Sequence, residues 1–150
     1  MHTLYGRAFR SSLFGALIMT ALLFLPAGTL NYAQAWVLIG IFVSASAVLT
    51  VYLAIHDPVL LERRMRAGPA AETEKPQKVI MFLVMIGFVG LLVISAFDRR
   101  FGWSRVPPYV SLIGDALVAI GFLFVFFVLK VNTYAASTIQ IAEDQKVIST

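Results

Sequence analysis

Four long apolar stretches separated by polar ones run along the 150 residues of this chain. They cover positions 12–25, 36–55, 79–97 and 109–129, and each is nearly free of charge. A helix rises about 1.5 Å per residue, so roughly 20 apolar residues cross the ~30 Å hydrocarbon layer of a bilayer. The pattern predicts an all-α integral membrane protein, a bundle of about four transmembrane helices forming one domain over 1–150. The first stretch is the shortest. Arg7 and Arg10 before it and the small pair Ala27-Gly28 after it also describe a signal peptide. Because three more spans follow, it is read as a retained helix.

The polar stretches carry the punctuation. Positions 26–35 hold no charge but contain Pro26, Gly28 and Asn31, turn formers that suit a short hairpin, and Trp36 and Trp103 are placed as interface anchors. Loop 56–78 mixes Asp57, Glu62, Glu72 and Glu74 with Arg63, Arg64, Arg66, Lys75 and Lys78. Asp57-Pro58 can start a short helix there, with Val59, Leu60, Leu61 and Met65 on one side and Arg63, Arg64 and Arg66 elsewhere around the turn. Gly68-Pro69 would end it, and such a helix suits the membrane interface. Gly40, Ser44 and Ala47 on the second span, and Gly114 and Gly121 on the fourth, predict faces where helices approach closely. Beyond Leu129 the helical pattern breaks down. Ile139-Gln140-Ile141 alternates, Glu143-Asp144-Gln145 forms a polar turn and Val147-Ile148 is apolar again, which predicts a short extended or hairpin-like C-terminal tail.

A hydrophobic share of 59% in a chain this short excludes an ordinary soluble globule. The absence of cysteine excludes disulfides, thiolate metal sites and a cysteine nucleophile. The net charge of +4 would point to nucleic acid in a soluble protein. Here the basic residues flank the spans, where they set orientation and meet anionic lipid, and no nucleic-acid partner is expected. Arg99, Arg100 and Arg105 lie in loop 98–108, and the other nine of the twelve Lys and Arg fall on the opposite side. That asymmetry predicts that both termini and loop 56–78 are cytoplasmic.

Chemistry-bearing residues are few. Asp115 is the one ionisable group well inside a span, a functional-site candidate by default. The loop arginines are near enough in sequence that a structural ion pair with Arg99, Arg100 or Arg105 is the favoured reading. His56 and Asp57 are adjacent, so on a helix they point in different directions, and no third ligand accompanies them. No Gly-rich phosphate loop, nucleophile elbow or His/Glu metal spacing is present, and no metal site or catalytic residue is assigned.

Three blocks, however, form a pattern together. They are Asp57-Pro58-Val59-Leu60-Leu61-Glu62-Arg63-Arg64, Phe97-Asp98-Arg99-Arg100-Phe101-Gly102-Trp103-Ser104, and Val131-Asn132-Thr133-Tyr134-Ala135 with Gln145-Lys146-Val147-Ile148-Ser149-Thr150. In these the chain resembles the bacterial branch of the isoprenylcysteine carboxyl methyltransferase family, related to the phospholipid methyltransferases. The resemblance implies a bacterial inner-membrane location, S-adenosylmethionine as cofactor and a lipophilic methyl acceptor as substrate. It also implies that Gln145, Lys146, Val147 and Ile148 border the cofactor through backbone and apolar contacts. A histidine often stands in the family where this chain has Gln145. The family's Gly-Pro-Tyr and Arg-His-Pro-x-Tyr elements follow such a segment and are not in this chain. The expectation is therefore the N-terminal membrane part of a longer enzyme, inactive alone. The alternative is a non-enzymatic four-span scaffold, subunit or small transporter.

Overall fold

A computed structural model describes residues 2–66 and 75–131. The expected extended tail, the cofactor candidates Gln145, Lys146, Val147 and Ile148, and the expected stop at Gly68-Pro69 lie outside the described residues. The described chain is helical, with α1 over His2–Ala27, α2 over Ala33–His56, α3 over Pro58–Arg66, α4 over Lys75–Phe101 and α5 over Pro108–Val131. No strand occurs among the described residues. Four helices are long and apolar enough to cross a membrane, over Tyr5–Ala27, Ala33–His56, Lys75–Phe101 and Pro108–Val131. All outrun their apolar stretches because a backbone at the bilayer edge keeps its own hydrogen bonds whether or not its side chains are apolar. The difference is largest at α1, which passes through Arg7 and Arg10, whose aliphatic stems can lie along the helix while their charged ends reach water.

Glycine ends two of the spans. Gly28 (φ 67) and Gly102 (φ 63) take the left-handed conformation that other residues avoid. Their N–H groups close back on the carbonyls of Phe24 (3.0 Å) and Asp98 (2.7 Å). Pro26 sits in the last turn of α1, where its ring removes one hydrogen bond at a helix that is already stopping.

Helix α3 begins as the sequence predicts. The Asp57 carboxylate Oδ1 accepts the Leu60 N–H at 2.9 Å, capping the helix, and Pro58 takes the first helical position. Leu60 and Leu61 are buried in a cluster with Ala8 of α1, Leu53 and Ala54 of α2 and Leu129 of α5, so α3 closes one end of the helix assembly. Val59 departs from the expectation: it is 60% exposed. The inner face of α3 is made by Leu60, Leu61, Arg64 and Met65, which recur at the three- and four-residue helical spacing.

The long helices form a row in the order α4, α1, α2, α5, in which α1 packs on α4 and α2, and α2 also packs on α5 and α3. Although a short loop joins them, α4 and α5 form no packed seam comparable to these and come together at the cleft that Asp98 and Ser111 line. A second cluster, of Met19, Leu23, Phe24, Ala35, Ile39 and Leu92, holds α1, α2 and α4 together at the end away from α3. The predicted close-packing glycines do not mediate contacts: a methyl group added at Gly40, Gly114 or Gly121 would meet nothing within 4 Å. Large side chains fill the seams instead. The Phe42 ring lies 5.1 Å from Phe122 and 6.5 Å from Phe88, and α5 turns Ser111, Asp115, Val118, Phe122, Phe126 and Leu129 inward along one stripe.

At the end opposite α3, side chains tie the α1–α2 connector to α4. Arg99 Nη2 donates to the Asn31 carbonyl (3.1 Å) and its guanidinium lies over the Tyr32 ring (5.9 Å). Arg100 Nη1 donates to the Pro26 carbonyl (3.4 Å), and the Tyr32 hydroxyl to the Ser95 carbonyl (3.5 Å).

Candidate functional site

The row of helices leaves a cavity of about 420 Å³ between α1, α2 and α5 and beneath α3. Its walls are apolar at Leu49, Leu53, Phe42 and Phe122, as expected of a membrane interior. Its polar groups come from three helices: Ser11 and Ser12 from α1, Ser46 and Thr50 from α2, and Arg64 from α3. The place of Arg64 follows from helix geometry, since it lies four residues after Leu60 and three after Leu61, both buried. Anchoring those two leucines turns Arg64 inward.

Hydroxyls in a membrane helix usually satisfy themselves on the preceding turn. Thr20 donates to Ala16, Ser44 to Gly40 and Ser95 to Leu91, at 2.7–2.8 Å. The four cavity hydroxyls make no such bond among the described residues. Arg64 has no ion pair or hydrogen bond among them either, whereas Arg66 and Arg7 both reach Glu62, at 2.7 and 3.6 Å. Burial lowers the Arg64 guanidinium below its ordinary value, the direction expected when a cation loses water without gaining an anion. Among the described residues the cavity lining therefore offers uncommitted donors and one cation, and no carboxylate.

On the other side of the α1–α2 seam lies a second, almost wholly apolar groove of about 320 Å³, lined by Phe9, Leu13, Val43, Ala47 and Val51. Ala8, Ser12 and Thr50 line both spaces, which are therefore neighbours across the seam. The small residues Ala16 and Ala47 thin the seam there, between the two packed clusters.

Asp115 does not form the expected ion pair. It is 8% exposed on the inward stripe of α5, and no cation lies within salt-bridge distance among the described residues. Helix α5 packs on α2, whereas Arg99 and Arg100 sit on α4 and turn toward the connector carbonyls, so the partners face different neighbours. His56 Nδ1 donates to the Tyr52 carbonyl (3.0 Å) and its ring stacks on Tyr52 at 4.4 Å. With Asp57 engaged as the α3 cap, the two adjacent residues have separate structural roles. Among the described residues no three His, Asp or Glu side chains gather into a metal-binding group.

Opposite α3, a polar cleft of about 160 Å³ contains Tyr32, Gln34, Asp98 and Ser111. Asp98 accepts the Ser104 N–H and hydroxyl, both at 2.7 Å. Burial, and after it the Asp98 charge, raise the Tyr32 phenol above its ordinary value, which keeps the proton that bonds Ser95. Asp98 and Ser104 are thus engaged with each other, and Tyr32 with the Ser95 carbonyl.

Sequence reasoning missed Arg64 by grouping it with Arg63 and Arg66 around the turn from the apolar side of α3, and passed over the hydroxyls, Ser11-Ser12 at the start of the first apolar run and Ser46 and Thr50 within the second. The α3 register relative to Leu60 and Leu61 was the available signal. No family model matches the chain, and neither the curated proteins nor the solved structures contain a match to it.

Proposed function

We propose that this chain is the membrane part of an S-adenosylmethionine-dependent methyltransferase acting on a lipophilic acceptor, with the acceptor's polar end in the cavity beneath α3. One observation carries the reading. Leu129 packs into the same cluster as Leu60 and Leu61, so the chain leaves α5 beside the roof of the cavity. The segment that follows in sequence, which includes Gln145, Lys146, Val147 and Ile148, thus starts from the end of the protein where an acceptor would sit. The capped α3, built from the first block of the family resemblance, forms that roof. Methyl transfer from a sulfonium needs donor and nucleophile held in line with water excluded. A site at the membrane edge lets the acceptor's chain stay in lipid while its polar end meets a water-soluble cofactor. The excess of Lys and Arg on the α3 side of the spans supports a cytoplasmic position for this end, where the cofactor is found, and the family resemblance implies a bacterial inner membrane.

The test is transfer of label from methyl-labelled S-adenosylmethionine to lipid extracts. The full reading frame, continued past Thr150, is expected to label a lipophilic product, and the 150-residue chain alone to label none. Unlabelled extracts from the full frame would overturn the methyltransferase reading. Turnover by the short chain would overturn the placement of the catalytic groups beyond it. A second reading, a small non-enzymatic carrier, has one observation in its favour: Asp115 is buried within a span with no counter-charge among the described residues.

A further inference from the structure

We infer that the cavity beneath α3 binds the phosphate of an anionic membrane lipid, with Arg64 as its counter-ion and the Ser11, Ser12, Ser46 and Thr50 hydroxyls as hydrogen-bond donors. The inference rests on reading this cavity as a ligand site and names the class of ligand it takes.

Three observations select that class. Among the described residues the charged complement of the cavity is a single guanidinium with no carboxylate in the lining, so the partner it lacks there is an anion and not a cation. Leaving such a cation half-buried without an anion costs free energy, and an arriving oxyanion recovers it through charge-assisted hydrogen bonds. The donors come from three different helices and number five residues, which suits an anion with several oxygens arrayed around a centre better than the two coplanar oxygens of a carboxylate. The rest of the lining is largely hydrocarbon, and the neighbouring apolar groove, which shares Ala8, Ser12 and Thr50 with the cavity as lining, offers room for a chain on the lipid side. A free phosphate would gain the donors but would leave those apolar walls without a partner. Basic pockets between spans are a known means of holding lipid head groups.

The experiment is ligand binding by the purified chain in detergent, measured by native mass spectrometry without S-adenosylmethionine. The probes are phosphatidic acid, phosphatidylcholine, oleate and inorganic phosphate. Phosphatidic acid is expected to bind about tenfold more tightly than phosphatidylcholine or oleate. Arg64→Gln should abolish that preference, and Arg66→Gln, at the exposed residue already paired with Glu62, should keep it. The double variant Ser46→Ala, Thr50→Val, which leaves α3 untouched, should reduce phosphatidic acid binding severalfold and thereby separate donor loss from misfolding of α3. Equal binding of phosphatidic acid and phosphatidylcholine, or a preference that survives Arg64→Gln, would overturn the inference. Oleate binding as tightly as phosphatidic acid would overturn the phosphate assignment, and displacement by inorganic phosphate at similar concentration would overturn the lipid one. Because no cofactor is used, failure here is distinct from failure of methyl transfer by the full reading frame.

Discussion

Asp115 and Arg64 show how two charges in one helix assembly acquire different meanings. Both were visible in the sequence: Asp115 was placed by proximity along the chain with the loop arginines, and Arg64 with Arg63 and Arg66 around the turn from the apolar side of α3. Proximity misled because the deciding variable is which helix packs on which. Once α5 lies on α2 and α4 lies on α1, Arg99 and Arg100 face the connector, and no cation pairs with Asp115 among the described residues. This makes a prediction opposite to that of an ion pair. An ionised carboxylate inside a span costs up to about 3 kcal/mol, so Asp115→Asn is expected to leave stability unchanged or to raise it by about 1 kcal/mol, read from thermal unfolding in detergent. A loss of about 3 kcal/mol would reveal a buried partner. If the protein is instead a carrier, the same substitution abolishes substrate flux in vesicles while stability holds.

At the scale of the element, α3 was the most legible part of the chain that is not a span. Asp57-Pro58 gives both its cap and its first turn, and the structure realises both. Its inner face was less legible, because Val59 is as apolar as Leu60 and a nine-residue helix leaves the sequence little periodicity with which to choose between them. The tertiary contact with Ala8, Leu53 and Leu129 makes the choice. Since α3 is short, its stability leans on the cap. Asp57→Ala should cost about 1 kcal/mol, whereas Asp57→Asn, which keeps an acceptor oxygen, should cost little. The backbone amides of α3 should lose hydrogen-exchange protection in the alanine variant before those of α2 do. Uniform loss along α2 and α3 would mean that Asp57 holds the helix assembly together and does more than start one helix.

The arrangement of the whole molecule could not be read from hydropathy. The spans were legible because each is a continuous apolar run, but lipid and protein neighbours are equally apolar, so the run does not say which face meets which helix. The expected glycine faces failed for that reason: small residues permit close approach without requiring it, and aromatic pairs such as Phe42–Phe122 occupy the seams. The resulting open row, α4–α1–α2–α5, predicts a cross-linking pattern that a closed ring of four helices does not share. The chain contains no cysteine, so introduced pairs report cleanly. Met19→Cys with Leu92→Cys lies within one packed cluster across α1 and α4, and Phe42→Cys with Phe122→Cys replaces two rings in contact across α2 and α5. Both pairs should join with a short bismaleimide in membranes. Pairs scanned along α4 and α5 should not, since those helices share no packed interface. Efficient joining of α4 to α5 would require the row to close, and closure would wall off the side of α2 on which Phe42 now lies between Phe88 and Phe122.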